Sequence, residues 1–169
     1  SIGLDCVLKM QEYEITFLRE YLSEDTETFS RIYGSKKSDF KKMGNENVFK
    51  WISRSLNTDK SQNEKINACY VLQKMGENKQ HKRKRMECMN KLLKILEVGN
   101  NEERGACLDA LLYFDRTFDS SKAITEHILH DRELSDKGFE VISRHEGKNV
   151  AKLLKIAYQN NDLIANWMK

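Results

Sequence analysis

The chain has 169 residues, 39% of them hydrophobic and 33% charged, with no proline and a net charge of +3. That balance fits one globular domain or a short array of long helices, and it excludes collagen-like and disordered chains. A charge of this size does not by itself imply a polyanion partner, and no run reaches the roughly 18 apolar residues of a membrane span.

Residues 4–22 read as one long helix. Leu4, Leu8, Ile15, Leu18 and Leu22 trace one stripe, and Cys6, Met10, Tyr13 and Phe17 a second, so burial on two sides is expected. Ser23 is placed to cap the next helix, with Phe29, Ile32 and Tyr33 as its buried face and Gly34 at its end. The lysine-rich stretch 35–47 reads as a short helix between loops. Residues 47–56 then form a helix with Val48, Trp51, Ile52 and Leu56 on one face. Asn57, Thr58 and Asp59 are turn residues, and 61–75 is the partner helix, closed by Gly76.

Lys79, Lys82, Arg83, Lys84 and Arg85 make the densest charge cluster in the chain. A helix follows with Met89, Leu92, Leu93 and Leu96 at steps of three and four. After the turn at Gly99, Asn100 and Asn101, Glu102 and Glu103 open the next helix, as free backbone N–H groups favour. That helix carries Ala106, Leu108, Leu111, Leu112 and Phe114. Further helices are expected over 123–130, 135–145, 148–159 and 162–169, with Trp167 in the last folded back near Leu153, Leu154 or Ala157.

The pattern repeats. Asn63-Glu64 with Ala68-Cys69 returns as Asn101-Glu102 with Ala106-Cys107, an offset of 38 residues (106 − 68). Arg104-Gly105 returns as Lys137-Gly138, an offset of 33 (138 − 105). KLLKIL at 91–96 returns as KLLKIA at 152–157, and each is followed by an Asn-Asn-acidic turn. Helical self-similarity at this period marks stacked helix pairs, because one pair cannot bury both its faces.

The segment LLKILEVGNNEERGACLDAL resembles the helix junction of an armadillo or HEAT-type repeat. The likeness covers about residues 44–169 and diverges in lacking proline and in its uneven intervals. It implies an all-α fold of stacked antiparallel helix pairs, a short α-solenoid. The expected division is an N-terminal helical hairpin over 1–46 and a repeat array over 47–169.

Chemistry is sparse. Cys6, Cys69, Cys88 and Cys107 form no C-x-x-C pair, so no zinc framework is expected. His127 and His130 share a helix face but lack further ligands. No P-loop, G-x-S-x-G or HExxH motif occurs. The expectation is therefore no enzyme, no metal and no cofactor. The opening SIGLDCVLKM lacks a basic region followed by an apolar core, so no secretory signal is expected. Reduced thiols then point to the cytoplasm or nucleus.

The basic cluster continues along one helix face as Lys84, Lys91 and Lys94, interrupted by Glu87, opposite Met86, Met89, Leu93 and Leu96. The expected function is protein–protein recognition as a scaffold or adaptor, with an acidic segment as one possible partner. A solvated helix face is the first reading of this basic cluster and an acidic protein partner the second; for a partner, Lys79, Lys82, Arg83, Lys84, Arg85, Lys91 and Lys94 are the candidate contacts. Nucleic-acid binding through the 79–94 stripe is the alternative, and an enzyme on a helical-repeat scaffold ranks third.

Overall fold

In the computed structural model, residues 2–36, 46–77 and 79–144 are described, with side chains from Glu12 onward. They form eight helices: α1 (Ile2–Tyr21), α2 (Thr26–Lys36), α3 (Glu46–Ser55), α4 (Gln62–Met75), α5 (Lys82–Val98), α6 (Asn101–Tyr113), α7 (Ser121–His127) and α8 (Ser135–Arg144). No strand occurs among the described residues, so the chain is all-α there. The helices expected over 148–159 and 162–169, and the placement of Trp167, lie outside the described residues.

Helix ends follow from local chemistry. The Ser61 hydroxyl accepts the Glu64 N–H at 3.2 Å and starts α4. At α6 the Asn100 side chain accepts the Glu103 N–H at 2.9 Å, and the Glu103 carboxylate accepts the Asn100 N–H at 3.0 Å. This reciprocal pair satisfies two N–H groups that the helix leaves unpaired. Gly76 closes α4 at φ +65°, a conformation open to glycine at little cost. Two expectations are corrected. Asp25, not Ser23, caps α2, because its carboxylate accepts the Thr28 N–H at 2.9 Å. Gly34 lies inside α2 rather than at its end. A Cβ there would sit 3.3 Å from the Tyr70 hydroxyl, so the missing side chain lets α4 approach.

The helices pack in two rows. α3 lies against α1 and α5, and α5 against α7. On the other side α4 lies against α2 and α6, and α6 against α8. α3 with α4, α5 with α6 and α7 with α8 also pack within their pairs. The core runs between the rows. Phe17, Phe29 and Tyr33 cluster between α1 and α2, with Tyr70 of α4 edge-on to Phe29 and Tyr33. Phe49 meets Phe114 further along.

Small residues set the approach distances. Ala68 is fully buried. Ala106, its sequence equivalent, is only partly buried and lines a groove of about 450 Å³ between α6 and α8. At Gly138 a Cβ would fall 3.0–3.1 Å from Ile128, Ile124 and Leu129, so α8 rests directly on the α7 segment.

Polar groups tie the pairs together along the turns. Asn67 is buried and donates to the carbonyls of Leu22 and Glu24 at 2.9 and 2.8 Å. Asn100 donates to Gln62, and Asn101 to Asp131 and Glu133. Lys65 and Glu103, both buried, form an ion pair joining α4 to the start of α6.

Candidate functional site

The buried stripe of α5 is Arg85, Cys88, Met89, Leu92, Ile95 and Leu96. Arg85 therefore takes a core position that the sequence pattern gave to apolar residues, and Met86 turns outward at 38% exposure. A long arginine permits this, because its stem packs while its charged head finds a partner. That partner is Asp115, whose carboxylate accepts from Nη1 at 3.1 Å. Asp115 sits at φ +50°, and the Thr117 hydroxyl donates to its other oxygen at 2.6 Å.

The seven basic residues singled out from sequence divide into two groups. Lys79 and Lys82 line a cavity of about 270 Å³ with Arg85, Asp115, Glu77 and Thr117. Arg83 is exposed beside them. Along the flank of α5, Lys84 pairs with Glu87 at 3.3 Å and Lys94 with Glu97 at 3.2 Å. Lys91 donates to the Ser53 carbonyl at 2.7 Å and so ties α5 to α3. The stripe is thus partly neutralised, and one member is committed to helix packing. Lys79, Lys82 and Arg83 make no ion pair among the described residues. The first turn of α5 holds four cations and no acid, and its N-cap His81, at φ +54°, contributes no side-chain hydrogen bond. Cations there oppose the helix dipole.

A second basic cluster escaped the sequence reading. Arg19 of α1 and Arg54 of α3 both lie over the Trp51 ring, with Cζ 5.1 and 5.2 Å from its centroid. A cation over an aromatic ring is worth about 0.5–1 kcal/mol at an exposed site. The three residues border a cavity of about 200 Å³ that also includes Lys60 and Ser55, with Leu18 and Leu22 as apolar lining. The Trp51–Arg54 spacing of three is a helix-neighbour signal visible in sequence. Arg19 is not, since it arrives only through the packing of α1 on α3.

No family model, curated protein or solved structure matches the chain. The site must be read from its own chemistry. Cys69, Cys88 and Cys107 are buried and free. Burial pushes all three thiols up, Cys88 to about 12, so they remain protonated and act as small packing residues. Among the described residues no group of three or more His, Cys, Asp or Glu could hold a metal ion. His127 lies 3.8 Å from Glu126 and His130 is exposed. No described helix is long and apolar enough to cross a membrane.

Proposed function

We propose that the chain is a protein-recognition module, a short right-handed α-solenoid of armadillo or HEAT type that docks an acidic segment of another protein. The odd-numbered row is the docking face. One observation carries this reading: Arg19 and Arg54 stand exposed over Trp51, Lys50 stands exposed on α3, and none of the three has a carboxylate partner among the described residues. Stacked pairs supply a rigid extended surface, and unpaired cations on it supply charge complementarity. The alternative, nucleic-acid binding along 79–94, draws support from the exposed Lys79, Lys82 and Arg83. It is weakened by the ion pairs of Lys84 and Lys94, which break a continuous phosphate track. The buried thiols suit a reducing compartment such as the cytoplasm or nucleus.

The test is binding of a displayed library of acidic peptides, beside duplex and single-stranded DNA, at physiological salt. Acidic peptides should be enriched, and Lys50→Glu should weaken them by about tenfold through like-charge repulsion. Peptide binding indifferent to Lys50→Glu would defeat the proposal. So would submicromolar DNA binding that is lost when Lys79, Lys82 and Arg83 are reversed.

A further inference from the structure

We infer that the cavity between α1 and α3 receives a phosphate monoester carried on the partner's acidic segment, an inference that rests on the docking face proposed above. The two guanidinium groups lie over the Trp51 ring, 5.1 and 5.2 Å from its centroid. At that distance the ring holds each cation without taking up its N–H donors. Neither donates a hydrogen bond to a described residue, so the donors stand ready for a ligand. Lys60 lines the same cavity and likewise has no ion-pair partner among the described residues. Ser23 and Ser55 complete the polar lining.

Charge selects the ligand. Arg19, Arg54 and Lys60 face one lining acid, Glu64, which leaves a local excess of two positive charges. A phosphorylated side chain carries about −1.5 to −2 at neutral pH, whereas a carboxylate carries only −1. Planar guanidinium groups also match a phosphate through paired N–H···O bonds, the usual means by which arginine clusters read phosphorylated segments. Size agrees. A cavity of about 200 Å³ accepts a tetrahedral head group but falls below the roughly 300 Å³ at which small-molecule pockets begin. The ring is already covered by two guanidinium groups, so it offers no clear platform for a nucleobase, which a single-strand binder needs.

The experiment uses the whole chain with Trp167→Phe, so that Trp51 is the only indole. The probe is a degenerate library of phosphoserine peptides with acidic flanks, beside its unphosphorylated twin and a 12-nucleotide single strand. Phosphorylated members should bind at least about tenfold tighter than their twins and alter Trp51 fluorescence. Arg19→Gln and Arg54→Gln should each remove that preference, weakening the phosphorylated members to the level of the twin, whose own binding falls by less. Arg54→Lys should not restore it, because an ammonium group cannot form the paired bonds. Circular dichroism of each variant separates lost recognition from lost folding. If inorganic phosphate up to tens of millimolar leaves the Trp51 signal of the Trp167→Phe chain unchanged and the two libraries bind equally, the inference is overturned while the acidic-partner reading survives. If neither library binds, both fall. A single strand that outcompetes the phosphopeptides would assign the cavity to nucleic acid and also overturn it.

Discussion

Replacing Glu14 by glutamine should stabilise the domain above neutral pH and leave it unchanged in acid. Glu14 lies on α1 at 5% exposure. Burial lifts its carboxyl from 4.5 to about 7, opposed in part by a hydrogen bond from the Tyr33 hydroxyl. The folded chain therefore holds this proton more tightly than the unfolded chain does. Stability is full below the unfolded value of 4.5, falls as pH rises, and levels off above about 7. At ~1.4 kcal/mol per pKa unit, the ionised carboxylate costs about 3 kcal/mol at pH 8. Glutamine keeps an acceptor for Tyr33 and carries no charge, so it escapes that cost. For a domain of this size the gain corresponds to a rise of roughly 6–12 °C in Tm. Thermal melts of wild type and Glu14→Gln across pH 4 to 8.5 read the effect. The two curves should coincide at the acid end and separate through neutrality. A constant gap at every pH would refute the argument, since it would trace the change to packing or helix propensity instead of ionisation.

Three further outcomes follow from burial. Lys65→Met leaves the Glu103 carboxylate buried without its ammonium partner, which should cost about 3–5 kcal/mol in urea unfolding; an unchanged midpoint would show that the pair contributes nothing. Ala68→Arg places a charge at a fully buried site and should abolish cooperative unfolding. Ala106→Arg opens onto the α6–α8 groove and should fold. Equal damage from both would contradict the burial difference between these two sequence-equivalent positions.

Helix type and the main turns were legible because periodicity and end chemistry are local. The Gly99-Asn100-Asn101 break, the acidic start of α6 and the Gly76 stop all appear where the residues placed them. The Ser23 cap was a local misreading, since Asp25 two residues on plays the same part; the other errors come from a partner distant in sequence. Gly34 looked like a stop because the approach of Tyr70 from α4 is invisible in α2 alone. Arg85 looked solvated because Asp115 stands 30 residues away. Arg19 carried no signal until α1 packed on α3 beneath Trp51. Glu14 was passed over because a lone acid in a helix normally faces water, and only the aromatic cluster around Phe17 and Tyr33 encloses it.

The Lys65–Glu103 contact bears on whether the α3–α4 and α5–α6 helix pairs are interchangeable. By the 38-residue offset (103 − 65), the two residues hold the same place in successive units, yet they carry opposite charges and meet each other. A chain built by copying the α3–α4 unit into the next place would bury two ammonium groups face to face. Copying the α5–α6 unit backward would bury two carboxylates. Neither arrangement is tolerable without a counter-ion. Neighbouring units are thus distinguishable by the lock they share, so their order along the chain is encoded in the core and shuffling them would destroy it.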